Sequence, residues 1–397
     1  MSINKNQKDM DNTFNFNKAV ERRHTGSVKW DEVPEDALPL WVADMDFEAS
    51  PAIRRALAER VEHGVFGYAM VDDDYYNAII SWFSRRHQWN IDRSWIVYTT
   101  GVVPALSCAI KALTLPGEKV LIQTPVYNCF YSSISNQGCV LAENELVRMG
   151  DSYQIDWEDF ERQCADEKTT VFVLCNPHNP VGRVWTATEL ARMGEICAKH
   201  HVRVISDEIH CELIMPGYTF TPFAAVNKLN QDICVTLNSP TKSFNIAGLQ
   251  IANIICKDSE TLRRINRVVN IFEVCDVNPF GPVALKAAYN ESEEWLNALN
   301  QYVWDNYRYL REFLQSELPK VHVTRLEGTY LAWLDISAWG ITSDEAAEKL
   351  QTEGKVVLSS GTIYGSKAGQ GFLRLNLACT RSTLEQALIR ISKVLHE

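Results

Sequence analysis

Short runs of apolar, often β-branched residues recur between residues 95 and 256, and amphipathic helical patterns lie between several of them. Near-continuous apolar strands that alternate with helices are typical of a mostly parallel sheet covered by helices on both faces. The pattern predicts a helix over 104–113, another after Tyr127, and a third over 186–200 that opens with a capping-box pattern at Thr186 and Glu189. The clearest predicted strands span 95–99, 119–124, 170–175, 203–207, 233–238 and 251–256.

The pattern changes near residue 258, where successive helical segments replace the strand–helix alternation. Residues 20–48 have no clear period, which is typical of a functional loop or an exchange arm. We therefore predict an N-terminal arm over 1–48 that contributes to a small domain, a large α/β domain over 49–290, and a small α+β domain over 291–397. The elements predicted after residue 257 are helices over 258–272, 280–290, 291–317, 343–353 and 381–396, antiparallel strands in VHVTRL and YLAWLDI, and a strand near 371–377.

The residues that follow each predicted strand are the main candidates for chemistry, because ligands of α/β sheets bind beyond the C-terminal ends of the strands. Taken singly, each has an ordinary explanation as a turn glycine, a packing ring, a rigid turn, a paired core carboxylate or a surface lysine. Together they supply a phosphate cradle, an aromatic face, an amide donor, a carboxylate for a ring nitrogen and an imine-forming amine, which are what pyridoxal phosphate requires. In chain order these residues are Gly101, Tyr127, Asn179, Asp207 and Lys242.

Composition and charge exclude several other classes of protein. The excess of 50 acidic over 39 basic residues argues against nucleic acid or an anionic membrane as the main partner. No apolar run approaches the ~18 residues that span a bilayer, and the polar N-terminus lacks a signal peptide's apolar core. The eleven cysteines contain no C-x-x-C pair and lie mostly in apolar runs, so we expect reduced core thiols in a cytoplasmic enzyme. The nine histidines show no metalloprotease spacing, and we expect no metal.

The ordered set of strand-end residues resembles that of a known family over nearly the whole chain, and three segments resemble one branch of that family. They are the arm segment Leu38–Phe47, the turn Thr100–Pro104 and the turn Ser239–Asn245. The chain resembles the fold-type-I, aminotransferase-like family of pyridoxal-phosphate enzymes, and within it the cystathionine β-lyase (C–S lyase) branch typified by MalY and PatB. The resemblance implies an aspartate aminotransferase-like fold with a seven-stranded, mostly parallel sheet, pyridoxal 5'-phosphate as cofactor, and a homodimer with shared active sites.

The same resemblance implies a role for each candidate residue. Lys242 would form the imine link to the cofactor, Asp207 would pair with the ring nitrogen, and Tyr127 would stack on the ring. Asn179 would bond the ring oxygen, and Arg374 would hold the substrate's α-carboxylate through two parallel bonds. The resemblance further implies phosphate contacts from Gly101, Val102, Val103, Ser239, Thr241 and the neighbouring subunit's Tyr68, and substrate contacts from Ala43 and Asp44.

Two positions depart from the family pattern. Gln250 stands where many aminotransferases carry an arginine that meets the phosphate charge, so that charge requires hydroxyls, backbone groups and a helix terminus instead. His210 stands where a tyrosine often contacts the ring oxygen, and it is retained only as a candidate cofactor contact.

The expected reaction is α,β-elimination on an L-amino acid that carries sulfur at Cβ. L-cystathionine, or a related S-substituted L-cysteine, would give a thiol such as homocysteine, with pyruvate and ammonia. An aminotransferase that uses an L-amino acid and a 2-oxo acid shares every cofactor contact and is the alternative. A regulatory binding protein on the same scaffold is a third interpretation, which the complete set of Lys242, Asp207, Asn179 and Tyr127 disfavours.

Overall fold

The computed structural model describes residues 14–395. Residues 1–13 of the predicted arm and the last residue of the predicted C-terminal helix lie outside the described residues. The strands are β1 Leu38–Pro39, β2 Ile96–Thr99, β3 Lys119–Thr124, β4 Val140–Glu145, β5 Val147–Met149, β6 Ser152–Gln154, β7 Thr169–Cys175, β8 Arg203–Asp207, β9 Cys234–Asn238, β10 Ala252–Ile255, β11 His322–Val323, β12 Leu331–Asp335, β13 Val356–Val357, β14 Ser359–Ser360 and β15 Phe372–Asn376.

The first α-helix precedes β1, and the others lie between and after the strands. Short 3-10 helices occur at Arg93–Trp95, Phe223–Ala225, Ala247–Leu249, Ser337–Trp339 and Gly361–Tyr364. The α-helices are α1 Val28–Asp31, α2 Pro51–His63, α3 Asp73–His87, α4 Val102–Leu113, α5 Cys129–Ser135, α6 Trp157–Cys164, α7 Ala187–Lys199, α8 Lys228–Ile233, α9 Ser259–Ile271, α10 Gly281–Glu291, α11 Glu293–Glu317, α12 Ser343–Thr352 and α13 Arg381–Leu395.

Seven strands form the main sheet, in the order β2-β10-β9-β8-β7-β3-β4. Strand β10 runs antiparallel to both of its neighbours, and the remaining pairs are parallel. Strands β7, β8 and β9 are buried at nearly every position, as expected for parallel strands that helices cover on both faces. The predicted α/β architecture with a seven-stranded, mostly parallel sheet is confirmed.

The carboxyl ends of the central strands are in register. Cys175, the last residue of β7, lies opposite Asp207 of β8, and Asp207 lies opposite Leu237 of β9. The turns that follow these three strands therefore leave the sheet at the same edge. The turn after β2 also leaves there, because Thr99 at its end pairs with Ala252 at the start of antiparallel β10.

A second, antiparallel sheet in the order β11-β12-β15-β14 lies in the C-terminal part of the chain. The N-terminal arm contacts this part, since β1 pairs in parallel with β13 through Leu38–Val356 and Pro39–Val357. The arm also contacts the main-sheet part, because Asn245 bonds the backbone of Met45 in both directions. The domain boundaries themselves remain a prediction. None of the helices within residues 14–395 is both long and apolar enough to cross a membrane.

Candidate active site

A cavity of about 370 Å³ opens at the carboxyl edge of the main sheet. It brings together nine of the predicted site residues, although they come from six separate stretches of chain. The residues that line it are Ala43, Thr100, Gly101, Val102, Val103, Pro104, Tyr127, Cys175, Asn179, Asp207, Ile209, His210, Lys242, Ala247 and Gln250.

Lys242 carries the amine of this cavity. Its Nζ donates to the carbonyl oxygen of Ala43 at 2.6 Å. Burial, followed by the nearby positive charge of Arg374, lowers the pKa of Lys242 from 10.5 to about 8, while the carboxylate of Asp44 opposes this shift. A lysine held this way is uncharged for a larger part of the time at neutral pH than an exposed lysine, so it is better suited to act as a nucleophile or a base.

Asp207 ends β8 as a buried carboxyl group. Within residues 14–395 its side chain accepts one hydrogen bond, from the backbone N–H of Ile209 at 3.1 Å. Burial raises the pKa of Asp207 to about 7, and the Ile209 N–H and the charge of Lys242 only partly offset this. A carboxylate in such a place is stabilised by a cationic partner, and a protonated ring nitrogen is one.

Arg374 lies beside the cavity on β15 and is itself buried. Its Nη1 donates to Asn179 Oδ1 at 3.2 Å, and its Nη2 donates to the carbonyl oxygen of Trp41 at 2.8 Å. The guanidinium also stands 4.7 Å from the ring centroid of Tyr364, a cation–π distance. Because Asn179 Oδ1 accepts from Arg374, the Nδ2 group remains the donor that Asn179 can offer to the cavity.

The N-terminus of α4 forms one wall of the cavity. Gly101 is its N-cap residue and provides no side-chain cap, so the backbone N–H groups at Val102 and Val103 have no intrahelical acceptor. Such a terminus is suited to a phosphate group. Gln250 lines the cavity too, which places the neutral residue at the position where an arginine is common in the family.

The predicted hydroxyl contacts lie next to the cavity rather than in its lining. Ser239 Oγ donates to the carbonyl oxygen of Ile251 at 2.6 Å and lies 2.7 Å from Thr241 Oγ1. Because the Ser239 hydroxyl donates to Ile251, the 2.7 Å contact has the Thr241 hydroxyl as donor to Ser239, so both hydroxyl hydrogens are used within the fold. Tyr68 lies elsewhere, because its side chain is fully exposed on this chain.

His210 and Tyr127 complete the polar lining. Burial, then the charges of Lys242 and Arg374, lowers the pKa of His210 to about 3, so its imidazole is neutral at neutral pH. Its Nδ1 is buried and has no hydrogen-bond partner within the described residues. Burial likewise raises the pKa of Tyr127, whose hydroxyl remains protonated.

Some residues of the site were not predicted from the sequence. Tyr330 donates from its hydroxyl to the Ala43 carbonyl at 2.9 Å, the same oxygen that accepts from Lys242. Cys175 lines the cavity, and its Sγ accepts from the backbone N–H of Asn179 at 3.4 Å. Neither residue type carries a chemical signal at its position, because one begins a predicted core strand and the other ends one.

These features fit pyridoxal phosphate. One cavity is surrounded by a buried amine with a lowered pKa and by three groups that lack a partner within residues 14–395: a buried carboxylate lacks a paired cation, one nitrogen of a neutral imidazole lacks a hydrogen bond, and a helix N-terminus lacks a side-chain cap. A protonated ring nitrogen needs the carboxylate, and an aldehyde carbon needs the amine as a nucleophile. A ring oxygen needs a hydrogen-bond donor such as the imidazole, and a phosphate needs the N–H groups of the helix terminus. The residues that could hold this cofactor are Gly101, Val102, Val103, Tyr127, Asn179, Asp207, His210, Thr241 and Lys242.

One cluster outside this cavity has the chemistry of metal ligands. Ligand atoms of His87, Cys211 and Glu212 lie within 4.8 Å of one another. However, the Glu212 carboxylate already accepts from Trp82 Nε1 at 2.6 Å, Arg86 Nε at 2.9 Å and His87 Nε2 at 2.6 Å. The cluster is therefore satisfied as a buried ion-pair network in the described structure.

Comparisons with known proteins identify the family. The model of the family described as aminotransferase class I and II matches residues 35–391, and the chain belongs to this family. It is 42% identical over 387 residues to cystathionine beta-lyase PatB of Bacillus subtilis (strain 168), covering 96% of this chain and 100% of that protein. The family and branch predicted from the sequence are confirmed.

Two solved structures have the same fold. Cystalysin from Treponema denticola, which contains a pyridoxal 5'-phosphate cofactor, has a TM-score of 0.94 and 34% identity and is matched over 96% of this chain and 99% of its own. The PLP-bound C-S lyase from Staphylococcus hominis has a TM-score of 0.91 and 31% identity and is matched over 97% of this chain and 98% of its own. The predicted fold type is thereby confirmed.

Proposed function

We propose that this protein is a pyridoxal-phosphate-dependent carbon–sulfur lyase that acts on L-cystathionine or related S-substituted L-cysteines. The products are a thiol (homocysteine from L-cystathionine), pyruvate and ammonia. The observation that carries the proposal is the buried amine of Lys242 and the buried carboxylate of Asp207 in one cavity, with Arg374 at its edge. The names of PatB and of the C-S lyase from Staphylococcus hominis support the choice of reaction.

We assign the cofactor contacts to the residues of the cavity. Lys242 binds the cofactor through its amine, Asp207 pairs with the ring nitrogen, Asn179 donates to the ring oxygen, and Tyr127 covers the ring. Gly101, Val102 and Val103 hold the phosphate through backbone N–H groups, and the Ser239 and Thr241 hydroxyls turn to it from their bonds within the fold. When bound, pyridoxal phosphate supplies an electron sink that acidifies the Cα proton of an amino acid.

Lys242 has a second role as the base that removes this proton. Its Nζ is poised for proton transfer because burial and Arg374 lower its pKa toward neutrality. The carbonyl of Ala43 orients the amine through the 2.6 Å bond. Burial at this site also keeps water away from the amine, which limits side reactions.

Arg374 recognises the amino-acid class of substrate. Its guanidinium is fixed by the Trp41 carbonyl, Asn179 and the Tyr364 ring. A buried guanidinium of fixed orientation can bind an α-carboxylate by two parallel bonds, which a lysine cannot do. Ala43, which lines the cavity, and Asp44, the next residue of the arm, complete the proposed substrate site.

The proposal includes a homodimer whose two sites are shared. Tyr68 is fully exposed on this chain, and other large apolar residues near it in sequence, Val65, Phe66 and Met70, are exposed as well. An exposed apolar patch of this kind suits a protein interface, and the partner subunit's Tyr68 would then reach the phosphate. A reducing compartment such as the cytoplasm suits the eleven cysteines, all of which are free.

The test uses purified protein, pyridoxal phosphate and L-cystathionine without any 2-oxo acid. We expect continuous release of free thiol and pyruvate in equal amounts over many turnovers. Lys242→Ala should abolish the release, whereas the exposed Lys18→Ala should not change it. Continuous release by Lys242→Ala at the native rate would contradict the proposal.

Aminotransferase activity is the second candidate, because the family is named for it. This reaction requires a 2-oxo acid as the second substrate, so the same assay separates the two functions. Transamination leaves the C–S bond intact, so conversion of L-cystathionine to its 2-oxo acid that stops after one turnover, resumes only when a 2-oxo acid is added and releases no thiol would favour the aminotransferase. Release that is independent of the 2-oxo acid favours the lyase.

A further inference from the structure

Residues 41–46, called here the site strap, contribute Ala43 to the cavity lining and bind the two cationic side chains of the proposed site. The Trp41 carbonyl accepts from Arg374 Nη2 at 2.8 Å, and the Ala43 carbonyl accepts from Lys242 Nζ at 2.6 Å. Asn376 Nδ2 donates to the carbonyls of Val42 and Asp44 at 2.7 and 2.6 Å. Because these bonds involve backbone oxygens, the position of the strap decides where both cations sit.

On its other side the strap is held by charges from the N-terminal arm, here called the arm cluster: Arg22, Lys29, Asp44 and Asp46. Lys29 Nζ lies 2.9 Å from Asp46 Oδ2 and 3.5 Å from Asp44 Oδ1. Arg22 donates to Asp46 Oδ1 at 2.9 Å and to Asp44 Oδ2 at 2.8 Å. Two cations thus face two carboxylates, and the cluster is balanced in charge.

Lys29 has no place in the chemistry assigned to the site, yet its side chain is 0% exposed. Burying an ammonium group is costly unless it is paired. The arm holds it on the short helix Val28–Asp31, where neighbouring Trp30 also donates through Nε1 to Asp46 Oδ1 at 2.8 Å. Trp41 Nε1 in turn donates to the Lys29 carbonyl at 3.2 Å, which ties the strap to the same helix.

We infer that Lys29 is a positioning residue that, through Asp44 and Asp46, fixes the site strap and with it the Ala43 and Trp41 carbonyls that orient Lys242 and Arg374. The inference rests on the proposed roles of Lys242 and Arg374. A displacement of about 1 Å at a catalytic group can lower a rate about 100-fold. The arm is therefore part of the active site's geometry even though Lys29 itself does not line the cavity.

The test uses the full-length holoenzyme and the variant Lys29→Met, whose unbranched side chain is one atom shorter and carries no charge. We expect kcat/KM for L-cystathionine to fall about 10- to 100-fold, with both a higher KM and a lower kcat, because both Arg374 and Lys242 lose their orientation. Backbone hydrogen exchange over residues 41–46 should become faster. Lys18→Met is the matched control, since Lys18 forms an exposed pair with Glu48 on the same arm.

A double variant separates positioning from simple stability. Lys29→Met leaves two carboxylates facing Arg22 alone, and Asp46→Asn in addition restores the balance of charge. We expect the double variant to regain most of the native Tm but to keep a lowered kcat/KM and fast exchange in the strap. If kcat/KM returns together with Tm, Lys29 contributes stability only and the inference is wrong.

Two outcomes keep this inference distinct from the proposed function. If Lys29→Met does not fold, the double variant still supplies both readouts. If Lys242→Ala retains turnover, the proposed function fails, whereas the exchange of residues 41–46 in Lys29→Met still reports whether Lys29 holds the strap. Native exchange in a folded Lys29→Met protein would overturn the inference.

Discussion

Glu208 is a fully buried carboxyl group directly beside Asp207. One of its oxygens accepts from Ser206 Oγ at 2.8 Å and from the backbone N–H of Phe223 at 2.9 Å. Within the described residues, its other oxygen has no hydrogen-bond partner, and neither has Asn176 Oδ1. Burial raises the pKa of Glu208 to about 8, while the Phe223 and Ser206 hydrogen bonds oppose the shift. A protonated Glu208 can donate a hydrogen bond, and Asp207 then carries the negative charge of the pair.

This pKa predicts how Glu208→Gln changes stability with pH. The folded pKa of about 8 lies above the unfolded value of about 4.3, so the folded state binds the additional proton between these values. The native side chain therefore stabilises the fold fully below about pH 4 and loses this contribution as the pH rises toward 8. Glutamine does not titrate, so we expect the variant to gain stability relative to the native protein by about 1.4 kcal/mol per pH unit in this window.

Denaturant unfolding of both proteins at several pH values between 5 and 8 measures this difference. Glu312→Gln is the control, because Glu312 is exposed on α11 and its change should leave the pH dependence unaltered. If the difference in the free energy of unfolding between Glu208→Gln and the native protein stays constant with pH, Glu208 is ionised in the folded protein throughout this pH range.

At this scale the sequence predicts side chains better than backbone groups. Lys242, Asp207 and Asn179 could be predicted because each follows a buried strand, and strand ends gather at one edge of the sheet. The Ala43 carbonyl that accepts from Lys242 could not be predicted as a contact, since every residue has a carbonyl. Tyr330 was missed because its contact with Ala43 joins positions 287 residues apart.

The helix α7 shows how a local sequence signal becomes an element boundary. Thr186 accepts from the backbone N–H of Glu189, and the Glu189 side chain accepts from the backbone N–H of Thr186, which forms the predicted capping box. We expect Thr186→Ala to lower the free energy of unfolding by about 1 kcal/mol without changing KM, because the helix N-terminus lies outside the cavity lining. Urea unfolding and steady-state kinetics measure the two quantities.

Thr352→Ala is the matched control for this change. Thr352 lies at the C-terminal end of α12, where its hydroxyl donates to the carbonyl of Glu348 and caps no N–H group. We expect its loss to change stability by less than about 0.5 kcal/mol. Equal effects of the two substitutions would mean that the capping box contributes nothing beyond ordinary threonine packing.

Elements with a continuous apolar pattern were predicted more closely than those without one. Strands β3 and β8 have the predicted bounds, and β7 and β9 differ from the prediction by one residue at their first position. Strand β4 was not among the clear predictions, because exposed and buried positions alternate along it and it pairs with β3 alone. The order of strands in the sheet depends on crossover connections that a linear pattern does not contain.

For the whole molecule, the arm joins the two parts of the chain that carry the site. Its strand β1 pairs with β13, its Met45 contacts Asn245, and its strap carbonyls bind Lys242 and Arg374. Residues 20–48 lacked any period in the sequence because they are held by long-range side-chain and strand contacts rather than by a regular face. The missing period predicted only a functional loop or an exchange arm, and contacts of this segment with the site could be expected only from the family resemblance.

The proposed shared sites make a prediction for mixed dimers. If Tyr68 acts in the partner's site, a dimer of one Tyr68→Ala chain and one Lys242→Ala chain contains one native site and one doubly altered site. Each variant alone should have little lyase activity, whereas an equal mixture after subunit exchange should regain about one quarter of native activity, because about half of the dimers are mixed. Light scattering coupled to size exclusion should give the mass of two chains.

Mixing Lys242→Ala with Asp207→Ala is the control, since both changes alter groups of the same chain's cavity and the mixed dimer has no native site. If subunit exchange is demonstrated and the activity of the first mixture equals the sum of the two separate variants, the site is not shared. Tyr68 would then be a surface residue without a role in the partner's site.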